Sequence, residues 1–403
     1  MSIKDFFEKF KKIDKKAIIR LLLEKVKRRL SGKIIRFLFG KHQQNKIILK
    51  SQTYMDGSCK YMFEYMLKHR YNEIYKIVYL IPKEKEIPRI KEKNVFFVRD
   101  RSMQADYHIA TAKVIFFEDQ SVHNFMIDSK KYVYLTHGTP LKNVKGKIVI
   151  SNTSNVLVCS SSNMVQICRE QFSAVSEEVI ISNRPIVDRL FIKDYSVLDS
   201  IAVNSKDNCK IVVWMPTFRK NKSNGYLRAD SQKEYDFGIP ILNSQNMSRI
   251  NEYLKQTNIL LLLKLHPHHF SEKEIENYSN IKVIKHSHLI EKNIDIYSIL
   301  AISDALITDY SSVHYDYMLL NKPIAYILDD FKEYKLGFAF ENALEYMPGH
   351  HIYDEEQFLS FFDDLQKDYD KYAKKRKHVC DFVHKFKDGE NTKRCLEAME
   401  IVL

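Results

Sequence analysis

The chain has 403 residues, of which 45% are hydrophobic and 12% aromatic, which excludes a disordered protein and allows two domains with their own cores. Its net charge is +13, and residues 1–50 hold 16 Lys or Arg against 4 Asp or Glu. No apolar stretch reaches the roughly 18 residues of a transmembrane helix, and no signal peptide opens the chain. The six cysteines are far apart, as is typical of a reduced, cytosolic protein without structural zinc.

The first predicted element is a basic amphipathic segment over residues 1–44. Clusters of Phe, Ile and Leu alternate there with Lys and Arg at helical spacing. Such helices lie on anionic membrane surfaces, where each basic residue contributes about 1 kcal/mol. The alternative is a solvated helical face packed on the body of the protein. Nucleic acid is not a predicted partner, because nothing outside this segment supplies a basic stripe interleaved with aromatic residues.

Residues 45–195 are predicted to form a first Rossmann-like lobe, because short apolar runs alternate there with amphipathic stretches. The predicted strands are KIILK, YKIVYLI, NVFFV, KVIFF, YVYLTHG, NVLVCSS and EEVIIS. The polar stretch of residues 194–210 lacks both periodicities and is predicted to be the linker between lobes.

A second Rossmann-like lobe is predicted for residues 205–365, followed by a helical segment over residues 366–403. Its strands are predicted in KIVVWMPTFRK, NILLLLKLHPHH, IKVIKH, DALITDYSS and KPIAYIL. Beyond Asp354, apolar residues recur at helical spacing to the end of the chain.

Residues 305–328, ALITDYSSVHYDYMLLNKPIAYIL, have the pattern strand, turn, helix, turn, strand. This pattern puts Ser311 and Ser312 at the carboxyl end of a parallel strand and the amino end of a helix, where free N–H groups favour an anion. No acidic residue follows at the position that would complete a capping box. The alternative is that one serine is only an N-cap.

Polar side chains follow four of the predicted strands, at the edge where ligands bind in parallel α/β sheets. Two imidazoles, a guanidinium and several hydroxyl groups together suit a diphosphate. No GxGxxG motif, P-loop or metal-spaced carboxylate cluster occurs, so neither a metal nor another cofactor is predicted. The polar residues are His137 in the first lobe, and Thr217, Arg219, His266, Ser311 and Ser312 in the second.

Five motifs occur in the order and spacing of a known family: THGTPLK, MPTFRK, LKLHP, ITDYSSVHYDYMLLNKPIAYILDD and EYMPGH. Residues 45–365 therefore resemble the CDP-glycerol glycerophosphotransferase family of teichoic acid and related capsule enzymes. The stretch YMDGSCKYMFEYMLKHR also resembles that family's first βα turn.

The resemblance implies a GT-B architecture, in which two Rossmann-like lobes face each other across a cleft. The CDP-polyol donor would bind the C-terminal lobe, and a lipid-linked glycan or polyol-phosphate acceptor would lie beside the N-terminal lobe. The implied reaction transfers glycerol phosphate or ribitol phosphate to an acceptor hydroxyl and releases CMP. The implied location is the cytoplasmic face of the cell membrane, with peripheral attachment.

The resemblance also assigns residue roles. His137 matches the His-Gly histidine, a candidate general base, and His266 matches the His-Pro histidine, a second catalytic candidate. The chain departs from the family's Gly-x-Pro-Arg-x-Asp pattern, because Asn183–Asp188 reads NRPIVD with Ile186 in place of the arginine. The residues predicted to bind substrate are Gly138, Thr139, Lys142, Thr217, Arg219, Pro267, Thr308, Asp309, Ser311, Ser312 and Asp316.

Two other functions remain open from the sequence. One is a GT-B sialyl- or polysialyltransferase with a CMP-sugar donor, although the contexts HGTPLK and TDYSS argue against it. The other is a non-catalytic basic binder of membranes or nucleic acid, in which the polar strand ends are only structural.

Overall fold

Two parallel β-sheets organise the chain, one in each predicted lobe. Their strands are short apolar runs that are buried on both faces, as expected of parallel sheets covered by helices. The computed structural model describes residues 30, 32–35, 37–118, 127, 129–150, 153–201, 209–223, 226–229, 233, 235–266, 269, 275 and 278–403.

The first sheet has seven parallel strands in the order β3-β2-β1-β4-β5-β6-β7. Each of the seven runs predicted for the first lobe is confirmed as a strand. The strands are β1 (Lys46–Lys50), β2 (Lys76–Ile81), β3 (Val95–Arg99), β4 (Val114–Phe117), β5 (Lys131–Tyr134), β6 (Val156–Cys159) and β7 (Glu178–Ile181).

The second sheet has six parallel strands in the order β12-β11-β8-β13-β14-β15, and β9 and β10 form a separate antiparallel hairpin. The sequence analysis misses β9, β10 and β15, because none of the three is an apolar run. The strands are β8 (Lys210–Trp214), β9 (Lys220–Ser223), β10 (Tyr226–Ala229), β11 (Ile259–Lys264), β12 (Ile281–Ile284), β13 (Ala305–Thr308), β14 (Ile324–Ile327) and β15 (His350–Ile352).

Helices connect the strands and cover the sheets. The predicted linker contains a short helix, α4, which buries Val197 and Leu198. The helices are α1 (Gly57–Lys68), α2 (Met103–Ala110), α3 (Val165–Phe172), α4 (Ser196–Ser200), α5 (Met247–Gln256), α6 (His286–Glu291), α7 (Ile296–Ile302), α8 (Val313–Tyr317), α9 (Glu355–Gln366), α10 (Ala373–Val383) and α11 (Asn391–Ala398).

Helices also lie near both ends of the described chain. The helical pattern predicted beyond Asp354 is confirmed by α9, α10 and α11. The basic segment predicted for residues 1–44 lies largely outside the described residues, although residues 32–35 and 37–39 are helical. None of the helices in the described ranges combines the length and the apolarity that crossing a bilayer requires.

The last helix, α11, returns to the first lobe. Cys395 and Leu396 pack with Ile47 and Leu49 of β1 in one hydrophobic cluster. Asp188 of the NRPIVD stretch binds the start of this helix, because its carboxylate accepts hydrogen bonds from the backbone and side chains of Asn391 and Thr392 at 2.7–2.8 Å. Burial nevertheless raises the pKa of Asp188 to about 6. The Asp of the family pattern is therefore a helix cap here.

We expect Asp188→Ala to lower the free energy of unfolding of the first lobe by about 2–4 kcal/mol, because two buried N–H groups would lose their acceptor. The only tryptophan, Trp214, is buried in the second lobe and reports that lobe separately by fluorescence. Urea unfolding followed by circular dichroism should therefore begin earlier in the variant, before the Trp214 transition. Asp194→Ala, at an exposed site nearby, is the control, and matching curves for both variants would contradict the cap.

Candidate active site

The loops after β8 and β13 are held together by Asp309. The backbone N–H of Thr217 donates to both carboxylate oxygens of Asp309, at 3.0 and 3.1 Å. The Thr308 hydroxyl donates to the carbonyl oxygen of Met215 at 2.9 Å. Thr308 and Asp309 are both buried, so they position these loops from the protein interior.

Arg219 lies in the same buried network and is only 1% exposed. Its guanidinium donates to both oxygens of Asp330, at 2.7 and 3.0 Å, and to Asp309 at 2.7 Å. A further bond runs from Nη1 to the Thr217 hydroxyl at 2.8 Å. A guanidinium engaged in this way positions the loops, and its contact with the diphosphate remains a prediction from the sequence.

Ser311 and Ser312 lie between β13 and α8, as predicted, and both are partly exposed. Ser312 is the N-cap residue of α8, but its hydroxyl makes no capping hydrogen bond. The Ser311 hydroxyl accepts a long hydrogen bond of 3.4 Å from the N–H of Val313. The capping function that the sequence left open is thus filled weakly by Ser311 and not by Ser312.

A strained turn follows β5 in the first lobe and carries His137. Thr136 has φ of 65°, a left-handed conformation that is rare for a β-branched residue, and Gly138 has φ of 128°. Such strain persists where the surrounding structure enforces it, often at functional sites. His137 is half-buried, and its ring makes an edge contact with Tyr134 at 5.9 Å.

The two lobes meet where Gly138 faces Ser312. A Cβ atom on Gly138 would lie 2.5 Å from Ser312 Oγ and 3.7 Å from Nη2 of Arg184. The turn that carries His137 and the predicted phosphate-binding serine are therefore neighbours across the cleft. This contact joins predicted site residues from both lobes.

Gly138→Ala should push the turn away from Ser312. The added methyl group clashes with the serine hydroxyl, and φ of 128° disfavours alanine, at a combined cost of about 1–3 kcal/mol. We expect the affinity for CDP-glycerol to fall about tenfold, measured by calorimetry. Gly146→Ala is the control, because that glycine also has positive φ but no atom within 4 Å of the added Cβ. Equal effects of the two substitutions would mean that backbone strain alone is responsible.

The rest of the HGTPLK stretch ties the lobes together. The N–H of Asn143 donates to the carbonyl of Gly337 at 3.0 Å, and that of Ala339 donates to Leu141 at 2.8 Å. Lys142 lies between these bonds, and its ammonium is 5.9 Å from the Tyr334 ring centre. The remaining predicted residue of this stretch, Thr139, is buried with its hydroxyl 3.3 Å from that of Ser160.

His266 follows β11 and is exposed. Its ring centre is 4.9 Å from that of Phe218, which lies between Thr217 and Arg219. The loops after β11, β8 and β13 are thus adjacent, as the strand order requires. Pro267 lies outside the described residues.

Asp316 joins the lobes through Arg184, a residue that the sequence analysis did not select. Arg184 Nη2 donates to Asp316 and to the hydroxyl of Tyr297 at 2.6 Å, and that hydroxyl donates to Asp316 at 2.6 Å. Arg184 belongs to the first lobe, whereas Asp316 and Tyr297 belong to the second. The only signal in the sequence is that Arg184 lies within the NRPIVD stretch.

A cavity of about 590 Å³ lies between the lobes and is lined by Arg184 and Tyr297. Its walls are mostly apolar and come from α1 in the first lobe and from α6, α7 and the loop between them in the second. Lys60 and Lys264 add positive charge, and burial lowers the pKa of Lys264 to about 8. Arg184 also lines a smaller gap beside Gly138 and Thr139, so it separates the cavity from the serines.

The N-terminus of α1 is closed by the chain itself. Glu118, after β4, accepts hydrogen bonds from the N–H groups of Ser58 and Cys59 at 2.7 and 3.2 Å. Burial raises the pKa of Glu118 to about 7. Gly57 is required there, because a Cβ atom would lie 2.6 Å from the carboxylate. The first βα turn therefore leaves no room for a substrate phosphate at this helix end.

Comparison with known proteins defines the family. The profile of the family described as CDP-Glycerol:Poly(glycerophosphate) glycerophosphotransferase matches residues 33–400. The chain belongs to this family.

Curated relatives in this family act in teichoic acid synthesis, according to their names. The teichoic acid glycerol-phosphate primase of Bacillus subtilis is 26% identical over 62% of this chain and 58% of its own length. The teichoic acid poly(ribitol-phosphate) polymerase of Bacillus spizizenii is 25% identical over 88% of this chain and 56% of its own length. The chain thus spans a little over half the length of these two relatives.

A solved structure gives the fold. The wall teichoic acid polymerase TagF superposes with a TM-score of 0.69 at 21% identity, over 96% of this chain and 98% of that one. The predicted α/β fold with two parallel sheets is therefore confirmed as the GT-B-like fold of TagF. Within this family, Ile186 remains a departure: it is buried and lines the cavity beside Arg184.

Proposed function

We propose that this chain transfers a polyol phosphate from a CDP-polyol to a hydroxyl group of a membrane-linked acceptor and releases CMP. The observation that carries the proposal is the contact of Gly138 with Ser312, which brings the turn after β5 against the helix start after β13. Family membership supports the same reaction class. Teichoic acid or capsule polymers are the products that this chemistry serves.

The donor is proposed to bind the second lobe. Ser311 and Ser312 are partly exposed beside the cleft, and the Ser312 hydroxyl makes no capping hydrogen bond. In the first lobe, by contrast, Glu118 occupies the N-terminus of α1. A substrate phosphate is therefore better accommodated in the second lobe.

The reaction is a displacement at phosphorus. The acceptor oxygen attacks the phosphorus of the polyol phosphate, and the bond from that phosphorus to the oxygen shared with CMP breaks. His137 takes the hydroxyl proton as general base, and CMP leaves with the bonding electron pair. His266 and the serines donate hydrogen bonds to the phosphates and compensate charge as CMP departs.

The acceptor is proposed to enter through the cavity between the lobes. Mostly apolar walls with a few charged side chains of both signs suit a glycan or polyol chain near a lipid carrier. The cavity borders Arg184, beyond which lies the contact of Gly138 with Ser312. An acceptor hydroxyl in this cavity would reach the phosphorus from the side of His137.

Incubation with separate CDP-polyols and lipid-linked acceptors, with the products measured by mass spectrometry, tests the function. Addition of one glycerol phosphate or ribitol phosphate is the expected result. CMP-sialic acid serves as the comparison donor, and transfer from that donor alone would replace this proposal with a sialyltransferase. No transfer from any donor, together with no binding of CMP by calorimetry, would leave a non-catalytic protein.

The basic segment of residues 1–44 is proposed to attach the protein peripherally to the cytoplasmic face of the membrane. In its described part, Ile34, Phe37 and Leu38 are exposed by 58%, 85% and 54%. Exposed apolar side chains next to Lys and Arg are typical of helices that lie on anionic bilayers. We also propose that residues 45–195 form the acceptor-side lobe and that residues 205–365 form the donor lobe.

We expect removal of residues 1–40 to abolish sedimentation with anionic vesicles, because residues 1–50 carry nearly all of the net charge. Binding of CDP-glycerol should be unchanged, and added salt should weaken vesicle binding of the full chain. Neutral vesicles are the control. Equal sedimentation of the truncated and full-length proteins would contradict the attachment.

A further inference from the structure

Arg184 projects from the first lobe into the boundary between the cavity and the serines. It precedes the turn Pro185–Phe191, and its side chain is 14% exposed. The same side chain lines the large cavity and the smaller gap beside Gly138. It thus touches the cavity on the acceptor side and the turn at Gly138, which faces Ser312.

Only one nitrogen of this guanidinium is engaged. Nη2 donates both to Tyr297 and to Asp316, which fixes the plane of the group. Nη1 and Nε make no hydrogen bond within the described ranges, and neither is sealed from solvent. The plane of the guanidinium is therefore fixed, while Nη1 and Nε each keep N–H groups for single hydrogen bonds to phosphate oxygens.

We propose that Arg184 contacts the phosphoryl group in transit between CMP and the acceptor. The inference rests on the proposed function and adds a residue to its site. A Cβ atom added to Gly138 would lie 3.7 Å from Nη2 of Arg184 and 2.5 Å from Oγ of Ser312. A phosphoryl group held by Ser312 and approached from the side of His137 therefore lies within reach of this guanidinium.

The charge balance explains why a cation is needed there. During transfer, the bond from phosphorus to the bridging oxygen of CMP breaks as the bond to the acceptor oxygen forms, and negative charge spreads over the remaining phosphoryl oxygens. Arg219 is enclosed between two carboxylates, Asp309 and Asp330, which balance its charge. Arg184 pairs with one carboxylate, Asp316, so it is the better placed of the two to supply this charge.

A merely structural role would give different results. The bond from Arg184 to Asp316 joins the lobes, so its loss leaves a buried carboxylate unpaired and destabilises the protein. The double variant Arg184→Ala/Asp316→Asn removes that unpaired charge. The single variant Asp316→Asn is the reference, because Asp316 is itself predicted to bind substrate. If Arg184 only ties the lobes, the double variant should regain its thermal stability and match Asp316→Asn in turnover.

We expect Arg184→Ala to lower kcat for transfer from CDP-glycerol about 10²- to 10³-fold, the range for loss of one donor to a developing anion. The Kd for CDP-glycerol, from calorimetry, should rise less than tenfold. The double variant should regain thermal stability, but its kcat should stay about 10²-fold below that of Asp316→Asn. Methylguanidinium in the buffer should restore part of the turnover lost in Arg184→Ala, because removal of the arginine side chain leaves space beside Asp316.

Arg189→Ala is the matched control. Arg189 lies on the same turn, pairs with Glu64 at 2.6 Å and covers the Tyr61 ring at 4.7 Å, away from the serines. The Arg189→Ala variant should have a lower thermal stability, and methylguanidinium should not raise its turnover. Wild-type kcat in Arg184→Ala, or equal kcat in the double variant and in Asp316→Asn, would overturn the inference alone. A wild-type chain that binds CMP but transfers no polyol phosphate would overturn the proposed function, and this inference with it.

Discussion

His137→Ala should lower kcat about 10²- to 10⁴-fold, the usual effect of removing a general base, with little change in the Kd for CDP-glycerol. His137 belongs to the first lobe, and its neighbour Gly138 contacts Ser312 of the second. In the proposed site its imidazole would lie next to the donor phosphates without being needed to bind them. Steady-state turnover and calorimetry on the same preparation separate the two effects.

The pH dependence gives a second measurement. Loss of the base should remove the fall in kcat/KM on the acid side of the wild-type profile. His69→Ala is the control, because that histidine is exposed in the same lobe and stacks only on Tyr65 at 4.3 Å. If His137→Ala turns over as fast as His69→Ala, His137 has no part in the chemistry.

His266→Ala should cost about 10²- to 10³-fold in kcat, as for one preorganised donor to a developing anion. The exposed ring lies against Phe218, beside the loop that Asp309 holds in place. A protonated imidazole there would compensate charge on the phosphates as CMP leaves. Binding of cytidine should be unchanged, because the lost contact is to phosphate.

Phe218→Leu is the control for the position of the ring, since it removes the aromatic contact and keeps the histidine. It should lower kcat much less than His266→Ala does. An absolute dependence of the wild-type enzyme on a divalent ion, measured with a chelator, would mean that a metal carries the charge assigned to His266.

The buried network around Arg219 marks the limit of reasoning from sequence. An arginine after a strand in MPTFRK is predicted to bind phosphate because guanidinium groups commonly do so. The structure surrounds it with Asp309 and Asp330, which come from loops 90 and 111 residues further along the chain. No local pattern indicates which carboxylates will reach a given arginine.

A second limit concerns Arg184. In NRPIVD the notable feature is the missing arginine at position 186, so Arg184 reads as an ordinary polar residue before a proline. Folding brings it against Asp316 and Tyr297, 132 and 113 residues away. Its importance is therefore visible only when both lobes are assembled.

The sequence by itself determines the apolar strands, the order of the two lobes and the edge at which His137, His266 and the serines lie. These features follow from local apolar periodicity and from the rule that polar residues after parallel strands share one edge. The tertiary structure alone decides which of them face the cleft. Burial and pairing enclose Arg219 and Asp188 but leave Arg184 and Ser312 with unused hydrogen-bond donors. These outcomes depend on contacts between residues far apart in the chain, so no local sequence pattern shows them.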